Sequence, residues 1–323
     1  MIVSSTERDG REYDMDNQQQ INWFPGHMAK GLRECAERLS QVDLVLETCD
    51  ARLPQSSRNP EIDRLIAGKP RLLLMTKADL ADPQMTDRWC DWYRRQGIQP
   101  IRLITPKSQG IQELHQEIQR ITQAFQEKAR SKGKQAYQVR AMVLGIPNTG
   151  KSSLINALAQ RKAAKIENRP GVTRSATWIK GGENLLLMDM PGLLWPKLGT
   201  PRRQLVLAAS GAIRDEILER ESLAYRAFKH FLQRYPEELL ERFRLDEDDI
   251  YYFGEDLYAL YEEAARHRGC LQSGGRIDLD RWSRLFLQEL RDGKVGRFTY
   301  EDPEEWEKEI ELINSEPFSS ENP

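Results

Sequence analysis

The run Gly145-Ile146-Pro147-Asn148-Thr149-Gly150-Lys151-Ser152 reads G-x-x-x-x-G-K-S, and it narrows the fold more than any other stretch of the chain. It follows an apolar segment, Tyr137–Leu144, that reads as a strand, and it opens a segment, Lys151–Ala159, that reads as a helix. Glycines at these positions let successive backbone N–H groups turn inward around phosphate oxygens, and a helix N-terminus adds partial positive charge. Lys151 is placed to reach the β- and γ-phosphates of a nucleotide, and the Ser152 hydroxyl to ligate Mg²⁺. Asn148, Thr149, Gly150 and Ser153 complete the expected cradle.

The surrounding pattern agrees with a loop of this kind. Val42–Leu46, Arg71–Met75, Ile101–Ile104, Ala176–Ile179 and Leu185–Met188 read as short strands. Asn59–Ala67 and Asp87–Gln96 read as helices, and Ile111, Leu114, Ile118, Ile121 and Phe125 mark a longer one at a period of about 3.6. A basic linker follows, with Lys128, Arg130, Lys132 and Lys134. Strands alternating with helices predict an α/β fold with a doubly wound, mostly parallel sheet. After Pro201 strand signals fade and helical periodicity dominates, as in Leu205–Phe231. The predicted division is a disordered lead-in over 1–20, a nucleotide domain over 21–200, an all-helical domain over 201–300 and an acidic tail over 301–323. Truncation near Thr200 is then expected to leave nucleotide binding intact.

Three further segments select the nucleotide. Asp189-Met190-Pro191-Gly192 matches D-x-x-G, where Asp189 would hold Mg²⁺ through water and the Gly192 N–H would sense the γ-phosphate. Thr173, within Pro170-Gly171-Val172-Thr173-Arg174, is the candidate switch hydroxyl that ligates Mg²⁺ only when the γ-phosphate is present. Thr76-Lys77-Ala78-Asp79 resembles the guanine motif N-K-x-D. The Asp79 carboxylate can accept hydrogen bonds from guanine N1 and N2, which adenine lacks, and the Lys77 stem can cover the base. GTP and GDP are therefore the expected ligands, and an ATPase is disfavoured. Thr76 stands where the motif has Asn, so an amide that braces base and phosphate loop is expected to be lost. Thr105-Pro106-Lys107-Ser108 occupies the place of a loop that donates a backbone N–H to guanine O6, and Pro106 has none to give.

The order of these motifs is unusual, because Asp79 precedes Lys151. Chain termini of compact domains often lie close together, so a sheet can be joined at its ends and cut elsewhere. Here the cut makes the D-x-x-G loop lead directly into the helical segment. With Trp23-Phe24-Pro25-Gly26-His27-Met28-Ala29-Lys30, Asp50-Ala51-Arg52-Leu53-Pro54 and Ser56-Ser57-Arg58-Asn59-Pro60, this order resembles the YlqF/RbgA family of circularly permuted GTPases. So do Leu193-Leu194-Trp195-Pro196-Lys197 after the D-x-x-G motif, Arg268-Gly269-Cys270 with Ser273-Gly274-Gly275, and Gly296-Arg297-Phe298. The likeness spans roughly residues 21–302. It implies a GTPase acting late in maturation of the large (50S) ribosomal subunit, in contact with rRNA and ribosomal proteins.

Hydrolysis is harder to place. In Ras-like enzymes a Gln just after D-x-x-G orients the attacking water, and here that position is Leu193. His27 is the in-chain candidate for placing water, with a structural or RNA-contacting histidine as the alternative. Asn148 is the candidate for holding a monovalent cation such as K⁺ beside the phosphates, with plain loop geometry as the alternative. Slow turnover alone and stimulation by the ribosomal subunit are expected. The competing reading is a nucleotide-regulated RNA- or protein-binding module whose hydrolysis is incidental.

Charge first argues against an RNA partner, since the chain has a net charge of −2. The charge is unevenly placed. Residues 301–323 carry nine acids and one lysine, and residues 1–20 carry five acids and two arginines, which leaves about +9 on residues 21–300. The Arg266–Arg268 cluster is the favoured phosphate contact within it, while most other cations read as solvated helix faces. The tail is expected to limit non-specific RNA contact. No apolar run approaches the roughly 20 residues of a membrane span, and Cys35, Cys49, Cys90 and Cys270 show neither disulfide nor zinc spacing. A cytoplasmic protein, monomeric away from the ribosome, is expected.

Overall fold

The computed structural model describes residues 26–66, 68–133, 137–159, 177–182, 184–195, 198–213, 219–246, 249 and 256–315. Among them the sheet has six strands: β1 (Leu44–Asp50), β2 (Arg71–Thr76), β3 (Pro100–Arg102), β4 (Val139–Leu144), β5 (Thr177–Lys180) and β6 (Leu185–Asp189). Their spatial order is β3-β2-β1-β4-β6-β5, parallel throughout except for β5, which runs antiparallel along β6. Every residue of β1 is buried, as a strand paired on both sides and covered on both faces requires.

The two faces are covered by different helices. Leu44, Leu46, Leu72, Leu74 and Val143 pack with Leu114 and Ile118 of α4 (Ile111–Ser131) and with Leu154, Ile155 and Leu158 of α5 (Lys151–Ala159). On the other face Val45, Met142 and Met188 meet Cys35 of α1 (Gly26–Arg38) and Ile62 of α2 (Pro60–Leu65). Cys49, Leu73 and Met75 meet Trp89, Cys90 and Tyr93 of α3 (Pro83–Arg95). The expected doubly wound sheet is therefore present. Parallel strands bring their C-terminal ends to one edge, and Asp50, Thr76, the loop after Leu144 and Asp189 all stand there.

Several element bounds differ from the sequence reading for local reasons. Helix α3 begins four residues earlier than expected, because the Asp82 carboxylate caps the N–H groups of Gln84 and Met85 and Pro83 fills the first turn. Helix α4 runs on to Ser131, so Lys128 and Arg130 belong to its last turns and not to a linker. The helix expected over Leu205–Phe231 is broken into α6 (Pro201–Ala209) and α7 (Arg220–Arg234), with Gly211 in the left-handed region at φ +78°. All four cysteines are free and buried.

Beyond α7 come α8 (Pro236–Phe243), α9 (Leu257–His267), α10 (Leu279–Arg291) and α11 (Pro303–Ser315). Phe228, Phe243, Tyr261, Trp282 and Phe286 form the centre of this part, with ring centroids 5.1–6.5 Å apart. The same apolar cluster continues into Leu53, Ile146, Leu194, Trp195 and Leu198 of the sheet domain. The two parts thus share a core, which a cut near Thr200 would expose.

The acidic tail also begins differently. Glu301 is buried, with its carboxylate accepting from the N–H groups of Gln55 and Ser56, and α11 packs Trp306 against the α3 cluster. Residues 301–309 are therefore part of the folded body. Among the described residues no helix is long and apolar enough to cross a membrane.

Phe286→Ala should destabilise the protein by about 3–5 kcal/mol, since a fully buried ring contacting four aromatic neighbours leaves a cavity. Urea unfolding of the two proteins measures it.

Candidate nucleotide site

The phosphate loop is held in shape by contacts within the chain. Gly145 sits at φ +149°, and a Cβ there would lie 2.3 Å from Thr48 Oγ1 and 2.7 Å from the Thr48 carbonyl oxygen, so only glycine fits. Thr48 Oγ1 donates to the Leu144 carbonyl at 3.1 Å and lies 2.8 Å from Thr149 Oγ1. Thr149 in turn donates to the Ile146 carbonyl at 2.8 Å. Thr76 Oγ1 lies 2.7 Å from the Thr149 carbonyl and 3.0 Å from that of Cys49. On the phosphate-loop side the expected loss of a brace at Thr76 is corrected: its hydroxyl ties β1, β2 and the phosphate loop together.

Lys151, at the start of α5, is almost fully buried, and its ammonium donates to the carbonyls of Ile146 at 2.6 Å and Gly145 at 3.1 Å. Burial pulls its pKa down from 10.5 to about 8, with the Asp189 carboxylate acting in the opposite direction. Ser152 and Ser153 are half-buried in the same first turn. Asp189, buried at the end of β6, is the acid nearest in role to this cation.

The guanine-motif loop reaches the phosphate loop directly. Lys77, at φ +55°, donates from its ammonium to the Asn148 carbonyl at 2.6 Å and to Asp50 Oδ2 at 2.8 Å. Asp79 is half-exposed beside it and makes no side-chain hydrogen bond within the described residues, which leaves its carboxylate open to an incoming base. Gly150 packs against Thr76, where a Cβ would come within 3.3 Å of the Thr76 side chain.

The D-x-x-G loop is pressed onto the phosphate loop. A Cβ on Gly192 would lie 2.7 Å from Pro147 N, and the Leu193 N–H donates to the Gly145 carbonyl at 3.1 Å. The Asn59 amide fixes the Leu193 carbonyl at 2.9 Å. The Leu193 side chain is fully buried in the α1 cluster, where a Cβ on Gly31 would meet it at 2.6 Å. It packs as core. His27 stands in the first turn of α1, one turn before Gly31; its side chain lies outside the described residues, as does the whole of Thr173.

Asn148 has a role that the sequence reading missed. Its amide nitrogen donates to the Gly211 carbonyl at 2.6 Å, linking the phosphate loop to the end of α6. A monovalent cation at Asn148 would have to use the amide oxygen.

Asp50 and Arg52 were also not assigned a site role from sequence. The buried Asp50 carboxylate accepts from Arg52 N at 3.1 Å, Nε at 3.0 Å and Nη2 at 2.8 Å, as well as from Lys77. Burial works against its charge, yet Arg52 and Lys77 hold the Asp50 carboxyl well below the usual carboxylate range. Arg52 also donates to the Arg291 carbonyl at 2.9 Å. The signal was legible as an acid and a base two residues apart at the end of an otherwise apolar strand.

The Arg266–Arg268 cluster is internally paired: Arg266 with Glu263, Arg268 with Glu289, and His267 Nδ1 at 3.2 Å from the Phe243 carbonyl. Among the described residues no cluster of three His, Cys, Asp or Glu side chains that could hold a metal is present.

A G-x-x-x-x-G-K-S loop fused to a guanine motif from earlier in the chain, with the D-x-x-G loop closing over it, defines a circularly permuted P-loop GTPase domain, here carrying a helical C-terminal domain. A family model described as "50S ribosome-binding GTPase" matches residues 140–233. The ribosome biogenesis GTPase A of Priestia megaterium is 43% identical over 291 residues, covering 90% of this chain and 99% of that protein. That of Bacillus cereus is 43% identical over 293 residues, covering 91% and 97%. The GNP-bound crystal structure of YlqF from T. maritima superposes with a TM-score of 0.58 at 25% identity, over 85% of this chain and 99% of that one. The chain belongs to the ribosome biogenesis GTPase A (RbgA/YlqF) family.

Two predictions follow from the geometry. Thr76→Val keeps the shape but removes the hydroxyl shared by the phosphate loop, and should weaken GDP affinity by about tenfold in calorimetry. Lys151 gives a pH dependence. Its proton is lost from the free protein above about pH 8, whereas the phosphates of a bound nucleotide favour the ammonium. Affinity should therefore fall by about tenfold between pH 7 and pH 9. Below about pH 8 the folded, ligand-free protein carries the full cost of the buried cation, and this group's cost to stability eases as pH rises towards the unfolded value of 10.5. An affinity that stays flat across that range would overturn the assignment.

Proposed function

We propose that this protein is a GTP-hydrolysing assembly factor for the large ribosomal subunit, acting late in its maturation, and that its nucleotide state sets its hold on rRNA. The observation that carries this reading is the continuity of the nucleotide site with the helical domain. Asn148 of the phosphate loop is latched to Gly211, and the residues after D-x-x-G, Leu194 and Trp195, are buried in the helical core. A shift of the D-x-x-G loop on loss of the γ-phosphate would have to move that core.

The residues fit a guanine nucleotide with Mg²⁺. The cradle admits no side chain at Gly145 and strains one at Gly150, Lys151 is a buried cation, and Asp189 is a buried carboxylate beside it. Lys151 exchanges its two carbonyl partners for phosphate oxygens. Asn148, Thr149, Gly150 and Ser153 contribute the cradle, and the Gly192 N–H meets the γ-phosphate. Asp79 reads the base, with Lys77 and Thr76 holding its loop. Ser152, Thr173 and Asp189 would hold Mg²⁺, which when bound offsets charge on the β- and γ-phosphates. With Leu193 packed as core, water placement falls to His27 or to the ribosomal partner, so turnover by the protein alone is slow. The protein works in the cytoplasm.

Steady-state GTP turnover with and without purified large subunits tests the reading. Subunits should raise turnover about tenfold or more, and should be retained better with a non-hydrolysable GTP analogue than with GDP. Lys151→Ala should abolish both effects. Subunit binding indifferent to nucleotide, with turnover unchanged, would instead make hydrolysis incidental.

A further inference from the structure

The start of the acidic C-terminal segment lies across both domains as a strap. It leaves the helical domain at Tyr300, is pinned where Glu301 caps Gln55 and Ser56, and is held again where the Trp89 indole donates to the Glu301 carbonyl at 3.1 Å. Asp302 and the helix α11 that follows then present carboxylates to arginines from three different helices. Arg88 of α3 pairs with Asp302 and Glu304, both at 2.8 Å. Arg202 of α6 and Arg234 of α7 converge on the single carboxylate of Glu305. Glu307 accepts from the Trp92 indole at 2.6 Å.

Two features set these outer contacts apart from a structural ion pair. First, two guanidinium groups share one carboxylate, so the arginines are in excess of the acid between them. A phosphodiester carries the same forked acceptor geometry that guanidinium prefers. Second, the acids of α11 that meet arginines are solvent-reachable: Glu304 is 73% exposed and Glu305 46% exposed, whereas Asp302 is 15% and the pin at Glu301 5% exposed. Ion pairs whose carboxylate is open to solvent contribute little and are screened by salt. A polyanion that releases counterions as it binds competes well against them.

We propose that Arg88, Arg202 and Arg234 form a site for an RNA sugar-phosphate backbone, and that the carboxylates of α11 occupy it as phosphate mimics until RNA displaces them. This rests on the reading of rRNA as the partner and places its contact at the junction of the two domains. The segment around Glu301 and Trp306 stays anchored, and only the outer acids yield. The device raises specificity: a weak, non-cognate RNA cannot outcompete the strap, while a cognate surface that also engages the helical domain can.

The test uses the full-length protein and a short RNA hairpin of non-ribosomal sequence, read by fluorescence anisotropy from 50 to 300 mM KCl. Glu304→Gln, Glu305→Gln and Glu307→Gln together should tighten hairpin binding several-fold at low salt. They should also steepen the fall of log K with log salt by about 2, since Arg202 and Arg234 lose their carboxylate while Arg88 keeps Asp302. Adding Arg88→Gln, Arg202→Gln and Arg234→Gln should return affinity and slope to the parent values. The single Arg202→Gln change, at an exposed position, should reverse part of the gain if the triple change fails to fold. GDP binding should be unchanged throughout. Unchanged hairpin affinity in the neutralised variant would overturn the proposal, and so would a gain that survives removal of the arginines. Equal capture of a polyglutamate of matched charge would overturn RNA as the occupant. Because the hairpin is not ribosomal, these outcomes stand apart from whether large subunits stimulate the parent enzyme.

Discussion

The architecture turns on a buried carboxylate. Asp50 ends the central strand at the one edge where parallel strands deliver their loops, and it carries its charge with almost no access to water. An isolated carboxylate there would cost several kcal/mol. Arg52 and Lys77 make it tenable, and each is thereby tied to something else. Lys77 is drawn onto the carbonyl of Asn148, which joins the base-reading loop to the phosphate loop. Arg52, two residues on, turns outward to the Arg291 carbonyl, and its own carbonyl accepts the Tyr300 N–H at 2.6 Å. One desolvated charge therefore orients the nucleotide site and docks the end of the helical domain. Losing either cation would leave the others with an uncompensated charge, so the three behave as a unit.

The phosphate loop shows the same economy in a neutral form. Three threonine hydroxyls, from β1, from the end of β2 and from the loop itself, satisfy carbonyls that the loop's tight turn would otherwise bury unpaired. Lys151 adds a second donor to the Ile146 carbonyl and also meets that of Gly145. The consequence is a loop whose shape the chain itself fixes around a buried cation. Its depressed pKa is the mark of that burial.

How much of this the sequence disclosed divides along a physical line. Motifs whose chemistry is local were legible: the G-x-x-x-x-G-K-S loop sits between a strand and a helix, the strands alternate as expected, and Asp79 stands open beside Lys77. What escaped were contacts between residues far apart in the chain. Thr76 reads in sequence as a defect relative to Asn, yet a hydroxyl set against Gly150 reaches the Thr149 carbonyl, which only the assembled sheet reveals. Asn148 reads as a loop residue or cation ligand until Gly211 is brought to it from 63 positions away. The acidic segment reads as solvated tail because charge composition alone cannot show that Glu301 has backbone donors waiting or that Arg202 and Arg234 converge on Glu305. Leu193 reads as a missing catalytic group, and its burial against Gly31 shows a second role in packing α1.

That packing explains why the permuted order matters. In an unpermuted arrangement the D-x-x-G loop would return into the sheet it came from. Here its continuation, Leu194 and Trp195, becomes core of the helical domain, and Arg203 of α6 lies 4.3 Å over the Trp195 ring while its guanidinium donates to the Arg58 carbonyl at 2.9 Å. Packed cores tolerate discrete rearrangements better than gradual deformation. A loop that shifts with the γ-phosphate can therefore keep the helical domain where it is or displace it as a body. The arginines of α6 and α7 that meet Glu305 would travel with that body, whereas Arg88 belongs to the sheet domain. The strap spans the two, so its fit on all three arginines depends on their relative pose. Nucleotide state and release of the acidic segment are in this way two readouts of one domain contact.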